Sequence, residues 1–391
     1  MGTWIAEYRT VASSLAAAIA GSLAWSGHIA ALPLSFGFLI LALLQADRWA
    51  TSSVALAYYA SSTWPLVPGA KSFFGAHFSL LGGTVLWVGG SVLLAMPWAL
   101  FHFRRWPARF LSVPLALVAT SVPPLGLIGW ASPLTSAGIL FPGTRWAGIL
   151  GILFLPALIV RFPRWGTLVT GLLIACTNWV YPGDPAPPTS WEAVDTKFGR
   201  SELELADPFR EFQHAQWIEQ RALNSRAKVI VFPETIVPRW NDGTEAFWGP
   251  TLANLAVQGK TIIFGTTVPV VASAKRLNSI MVRGANVPAS FFQRIPPPIS
   301  MWKPFSRSGF PLRLTGQGSI PVAGERPAVL ICYELLLTWP VLSASWEHPT
   351  ILVGVANDYW ASQTRIPAVQ RAALDAWARL FSLPGLLAVN T

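Results

Sequence analysis

Two patterns of apolar positions divide the chain. Up to about residue 181, long apolar stretches follow one another, at 10–27, 28–46, 50–68, 76–101, 108–130, 145–160 and 165–181. Their length and hydropathy are those of membrane spans. Pro33, Pro65, Pro97, Pro114, Pro123, Pro124 and Pro156 interrupt some of them, which membrane helices tolerate when neighbours re-satisfy the freed backbone groups. Arg9 ahead of an alanine-rich run also fits a secretory signal over 1–27, but a second span follows at once, so a retained anchor is expected. The stretch 131–144 is apolar yet too short and broken to span. It reads as a re-entrant or interfacial loop.

After a proline-rich linker that begins at Tyr181, the pattern changes to short apolar runs alternating with helical spacing. Asp207 reads as the N-cap of a helix over 207–226. Buried strands are predicted at 228–232, 261–267, 278–283, 327–332, 350–356 and 385–389, with helices at 250–260 and 366–382. Strands alternating with helices argue an α/β domain with both sheet faces covered. The expected organisation is an α-helical transmembrane domain of about seven helices over 1–181 and an α/β domain over 182–391.

Composition supports that split. The 391 residues are 52% hydrophobic and only 12% charged, with 20 Trp, against roughly a quarter charged in an ordinary soluble domain. Before Tyr181 there are nine Lys/Arg and two acidic residues, and after it 19 and 16. Arg104, Arg105 and Arg109, then Arg161 and Arg164, mark cytoplasmic loops by the positive-inside rule. Counting spans places the N-terminus in the cytoplasm and residues from about 182 onward outside, in the periplasm of a Gram-negative inner membrane. The net charge of +10 is mostly these loops, so no direct nucleic-acid binding is expected. The tryptophans read as interfacial belt residues. Five scattered His have no ligand spacing and no phosphate-cradling glycine loop is present, so neither metal nor cofactor is expected. Cys176 falls in the last span and Cys332 in the α/β domain, which leaves no disulfide framework and one thiol to consider as reactive.

Polar groups gather where the predicted strands end. Glu234 closes one strand, Cys332 and Glu334 another, and Asn357 and Asp358 a third. Ligand crevices of open α/β sheets lie at strand ends, and a carboxylate beside a thiol can act as the base that generates thiolate. The simpler alternative for Cys332 is a small core hydrophobe, and for Glu234 a solvated strand end.

In order and spacing, Val-Ile-Val-Phe-Pro-Glu-Thr ending at Thr235, Leu-Ile-Cys-Tyr-Glu ending at Glu334, and Asn-Asp-Tyr-Trp from Asn357 resemble the carbon–nitrogen hydrolase (nitrilase) superfamily. The apolar first half resembles its apolipoprotein N-acyltransferase branch. The resemblance implies an α-β-β-α sandwich and a Glu–Lys–Cys triad, with Glu234 as general base and Cys332 as the thioester-forming nucleophile. The family's lysine segment is altered. Aligning on Pro298 and Pro304 puts Gln293 at the lysine position and Met301 at a second glutamate. Arg294, by position, or Lys303, by type, remains to stabilise an oxyanion, Arg294 being the expected one. The sequence given ends at Thr391, without the closing glycine and C-terminal span of the acyltransferases. In length and in these changes it is similar to the TraB-type conjugal transfer proteins of soil-bacterial plasmids. The expectation is a membrane-anchored protein of conjugal transfer with a thiol acyltransferase or amidase site. Its partners would be a lipid or acylated substrate and the proteins of the conjugation apparatus. Lipoprotein N-acylation and a non-catalytic scaffold are the alternatives.

Overall fold

A computed structural model describes residues 2–74, 80–199 and 208–391. In chain order the helices α1 (Gly2–Ala24), α2 (Leu34–Leu43), α3 (Arg48–Thr63), α4 (Leu66–Phe74), α5 (Leu80–Leu100), α6 (Ser112–Ser121), α7 (Ala137–Leu140), α8 (Trp146–Arg161) and α9 (Pro163–Val180) come first. They are followed by β1 (Trp191–Ala193), α10 (Pro208–Asn224), β2 (Val229–Val231), α11 (Asp242–Val257), β3 (Thr261–Pro269), β4 (Arg276–Gly284) and β5 (Ala289–Phe292). The last elements are β6 (Pro327–Ile331), α12 (Thr338–Ser345), β7 (Ile351–Asn357), α13 (Ile366–Phe381) and β8 (Gly385–Asn390). The expected N-cap Asp207 and residues 76–79 of an expected span lie outside the described residues.

By packing, the chain forms two units, and the boundary is not simply one point in the sequence. One unit is 1–184 with 336–339 and 363–382, the other 185–335, 340–362 and 383–391. Helix α13 therefore packs in the helical unit although both strands that flank it belong to the α/β unit. Sequence order alone put it with the second domain. The reason is close apposition of small residues. A Cβ on Gly138 of α7 would lie 1.8 Å from the Ala376 carbonyl oxygen, and one on Gly27 would lie 2.5 Å from Ala368 Cβ. Backbone bonds from Gly143 to the Arg379 carbonyl and from Arg145 to the Leu380 carbonyl, at 2.9 and 2.8 Å, hold the helix end.

The helical unit has an apolar core, with Phe38, Leu39, Val54 and Leu117 fully buried, and also carries exposed apolar stripes. Val11, Leu15, Ile19 and Leu23 make an exposed stripe on α1, as do Leu81, Val85, Val88 and Val92 on α5. Buried between the helices are Ser35, Thr51, Ser62, Thr63, Ser91 and Thr120. Their hydroxyls are held largely by carbonyls a turn away, as in Ser62 to Tyr58 at 2.7 Å and Ser91 to Trp87 at 2.8 Å. The expected spans of 28–46, 50–68 and 108–130 are shorter or divided, because Pro33, Pro65 and the Pro123-Pro124 pair break each ladder. Among the described residues one helix, Leu80–Leu100, is long and apolar enough to cross a membrane, and Ile29–Leu43, Ala108–Ser121 and Trp146–Arg161 are shorter apolar segments. The stretch 131–144 is a short 3₁₀ turn followed by α7, mostly buried.

In the α/β unit, five strands form a mixed sheet in the order β1-β2-β3-β4-β5, and three parallel strands form a second, β6-β7-β8. Strands alternate faces. Val229, Val231, Ile263, Ile280 and Val282 of the first sheet pack on Val329, Ile331, Val353 and Val355 of the second. The opposite face of the first sheet, with Ile230, Phe232, Ile262, Phe264 and Met281, is covered by Ile218 and Ala222 of α10 and Trp248 and Leu255 of α11. Three of the four expected layers thus lie in this unit, while the long helix expected in the fourth, α13, belongs to the helical one. Strand β1 and helix α12 carried too little periodic signal to be read from sequence. Helix α11 begins eight residues earlier than its periodicity indicated, because Asn241 caps it at the Thr244 amide, 2.9 Å away, despite Gly243 and Pro250.

Gly138→Ala is expected to lower the thermal unfolding midpoint of the full chain, with a cost of about 1–3 kcal/mol from overpacking. Gly171→Ala, whose added Cβ meets nothing within 4 Å, should leave it unchanged. Equal midpoints would contradict the packing of α13 against α7.

Candidate active site

Three chain segments leave the α/β sheets close together, and each carries a buried polar group. After β2 the chain reaches Glu234 and turns through Thr235 at φ 52°. That approach is possible because Gly265 of β3 has no side chain; a Cβ there would lie 2.3 Å from the Thr235 nitrogen and 2.4 Å from Glu234 Cα. After β6 the chain enters a 3₁₀ turn, Cys332–Leu336, with Cys332 itself at φ 50°. For a residue with a side chain this left-handed conformation stores strain, which tends to cluster at functional positions. After β7 come Asn357 and Asp358.

Glu234 and Cys332 are both buried, 5% and 7% exposed, and near enough for each to bear on the other's protonation. The carboxyl of Glu234 also accepts from Asn278 Nδ2 at 2.6 Å and from the Asn357 amide at 3.0 Å. Burial pushes the Glu234 carboxyl above the ordinary carboxylate range, and the bonds from Asn278, Cys332 and Asn357 only partly oppose this. Burial likewise pushes the Cys332 thiol well up, and the negative charges of Glu234 and Asp358 add to it. Both effects favour the protonated thiol.

Glu334 is 1% exposed and acts on the backbone. Its carboxylate accepts from the amides of Arg294 at 2.6 Å, Ile295 at 3.0 Å and Ile331 at 3.1 Å, so it ties the exit of β5 to the exit of β6. Burial raises its pKa, against which the Arg294 charge and these three amides act. Asn357 accepts from Asn390 Nδ2 at 2.8 Å, and Asn390 Oδ1 in turn accepts from Thr196 Oγ1 and the Phe198 amide, each at 2.8 Å. Asp358 is wholly buried beside the thiol, its amide bonded to the Asn390 carbonyl at 2.8 Å.

The two candidate cations behave differently from expectation. Arg294 is buried, but its guanidinium reaches Ser343 Oγ at 3.1 Å and the Val329 carbonyl at 3.5 Å, with Nε 3.7 Å from Glu334. Lys303 is exposed on the loop that follows β5. The side chain linked to Glu234, through Asn278, is Gln293, one residue before Arg294. Its Oε1 accepts from Asn278 Nδ2 at 3.0 Å, and its Nε2 donates to the carbonyl of Ile331, the residue before Cys332, at 3.0 Å. The two neighbours go different ways: Gln293 bonds Asn278 and the Ile331 carbonyl, and Arg294 bonds Ser343. Sequence reasoning gave Asn278 no role. Its signal was there, since Asn278 shares the inward period-two face of Ile280 and Val282. Among the described residues no cluster of His, Cys, Asp and Glu could hold a metal ion.

A two-sheet α/β unit that buries a carboxyl against a thiol at its strand ends has a carbon–nitrogen hydrolase-like layout. Over the whole chain the similarity is more particular. It is 30% identical over 393 residues, 97% of each chain, to a probable conjugal transfer protein TraB of Sinorhizobium fredii. It is also 30% identical over 410 residues, 95% of this chain and 90% of the relative, to the conjugal transfer protein TraB of Agrobacterium fabrum. The chain belongs to the TraB family of conjugal transfer proteins. No family model matches it. Similar solved structures include a nitrilase-superfamily amidase from Nesterenkonia sp., in a mutant form with acrylamide added at its active-site cysteine (12% identity, 51% of this chain and 76% of that one, TM-score 0.36). Another is a carbon–nitrogen hydrolase from Helicobacter pylori (12% identity, 51% and 73%, TM-score 0.35).

Asp358→Asn removes one of the charges that hold the thiol proton on. In a Cys176→Ser background, alkylation of Cys332 by iodoacetamide, followed by intact mass, is expected to set in at lower pH in the Asn variant. An unchanged pH midpoint would mean that Asp358 does not act on the thiol.

Proposed function

We propose that this chain is a membrane-embedded protein of conjugal transfer whose α/β unit performs acyl transfer or amide hydrolysis through Glu234 and Cys332. The observation that carries the reading is a buried carboxyl, held by Asn278 and the Asn357 amide, in the electrostatic reach of a buried thiol. A buried acid is costly unless its site is built around it, and here Asn278 and Asn357 are both aimed at it. As Cys332 sulfur attacks a carbonyl carbon, its proton passes to Glu234. The tetrahedral oxyanion then collapses, the bond to the leaving amine or alcohol breaks, and Glu234 returns the proton to that group, leaving a thioester. A second nucleophile, water or an amine, gives its proton to Glu234 as it attacks. The proton returns to sulfur as the thiol leaves.

In this reading the oxyanion donor is the neutral amide of Gln293, one of whose two N–H groups is engaged by the Ile331 carbonyl. Arg294 is then a positioning residue, acting through Glu334, and Lys303 lies apart from the chemistry. One observation favours a second reading. A raised thiol pKa without a facing cation also suits a scaffold that keeps the fold and has no turnover.

The membrane reading rests on the helical unit. Exposed apolar stripes on α1 and α5 with hydroxyls inside match helices that pack in lipid, where small polar residues line helix contacts. By the positive-inside rule the basic loops would put the N-terminus inside and the α/β unit in the periplasm. Alkaline phosphatase fused after residue 185 is expected to be active, and fused after 105 inactive. The opposite pattern would reverse the topology.

Cys332→Ala and Glu234→Gln are each expected to abolish both plasmid transfer in a mating assay and any acyl-sized mass adduct on the purified chain. The double variant should be no worse, since the pair works as a unit. Gln293→Leu should lose roughly 10²–10³-fold in acylation rate, and Lys303→Ala little. The base must be ionised to take the thiol proton, and burial raises its pKa. Acylation should therefore fail as pH drops through a value above the ordinary carboxylate range. Full transfer by Cys332→Ala would leave only the scaffold reading.

A further inference from the structure

Between Glu245 and Glu325 the chain carries no acidic residue but eight basic ones, Lys260, Lys275, Arg276, Arg283, Arg294, Lys303, Arg307 and Arg313. Such a charge-asymmetric stretch matters only if the fold gathers its exposed members, and it does so at one place. The tip of the β3–β4 hairpin and the loop over 299–310 are joined by a backbone bond from Arg276 to the Gly309 carbonyl at 3.0 Å and a bridge between Lys275 and Gly309. The Lys303 side chain passes 3.7 Å from where a Cβ on Gly309 would lie. Arg276, Lys303 and Arg307 are exposed and Lys275 is half-buried.

The same two tips hold apolar side chains out into solvent. Phe305 is 107% exposed, Val271 93% and Ile299 53%. These are not floppy ends. Ile299 and Phe305 sit at φ 70° and 66°, conformations that a side-chain-bearing residue adopts only when its surroundings hold it there. Bonds from Met301 and Trp302 to the Pro297 carbonyl, at 3.1 and 3.0 Å, and from Phe310 to the Met301 carbonyl at 2.8 Å pin the loop. Presenting an aromatic ring and two aliphatic side chains to water is unfavourable unless something covers them.

We infer that this paired tip, Val271 and Phe305 ringed by Lys275, Arg276, Lys303 and Arg307, docks the α/β unit on an anionic phospholipid surface. The cations meet headgroup phosphates, and the three apolar side chains enter the boundary between headgroups and acyl chains. The charge alone would also suit a nucleic acid. A phosphodiester backbone, however, offers nothing to Val271 and Ile299, whereas a bilayer accepts both kinds of group at once. This docking is independent of the thiol chemistry.

The test uses the full chain with Cys176→Ser, Cys332→Ala and Phe305→Cys, labelled at residue 305 with an environment-sensitive fluorophore. It is placed in nanodiscs of phosphatidylcholine with or without phosphatidylglycerol. With phosphatidylglycerol the label is expected to shift to the blue and to be quenched by doxyl lipids, and to lose both signals in high salt. Each of Lys275→Glu, Arg276→Glu, Lys303→Glu and Arg307→Glu should reduce docking by about five-fold or more, the effect of one cation near an anionic surface. A label quenched equally by iodide in both lipids would overturn the inference. So would a response to a single-stranded oligonucleotide with none to phosphatidylglycerol.

Discussion

The space between two β-sheets is dry, and every polar group placed there must find a partner within it. In this protein that space ends in a seam of carboxyls, carboxamides and one thiol, and the arrangement of the α/β unit depends on how the seam is satisfied. Glu334 is its fixed point. By accepting amides from Ile331, Arg294 and Ile295 it sets the exit of the three-stranded sheet against the exit of the five-stranded one. The apolar faces could slide past one another at little cost. The hydrogen bonds to one carboxylate could not.

From that clamp the chemistry of the site follows. With the two exits held, Cys332 is fixed at a left-handed position and Gln293 is carried beside it, while Arg294 is turned toward Ser343. The base is positioned from other directions, by Asn278 across the sheet and by the Asn357 amide. A cation beside the thiol would have lowered its pKa. An amide does not, and burial with the charges of Glu234 and Asp358 keeps the proton on Cys332.

In the helical unit some hydroxyls are buried and aliphatic stripes on α1 and α5 are exposed, and small residues such as Gly138 and Gly27 allow close approach to α13. That is why α13 can pack there, since Ala368, Ala372, Ala373 and Ala376 let backbones approach closely. The chain passes from one strand of the three-stranded sheet through this helix and back to the next strand. Sequence order therefore assigned the helix to the wrong neighbours.

Strands and their terminal residues were legible without coordinates, because a buried strand needs only a few contiguous apolar residues and ends where polarity returns. Glu234, Cys332, Glu334, Asn357 and Asp358 were all found by that local rule, and the structure brings them to one seam. Apolar length alone overstated the spans of the first half, because prolines divide them and one helix, Leu80–Leu100, is long and apolar enough to cross a membrane among the described residues. Which basic or amide side chain meets the thiol was not legible. Gln293 and Arg294 are neighbours in sequence, and what separates them is the carboxylate 40 residues away that binds the Arg294 amide. Nor was the clustering of Lys275 with Lys303, or the membership of α13, written in any local pattern. Local periodicity records what each segment must bury, and only tertiary packing decides against what.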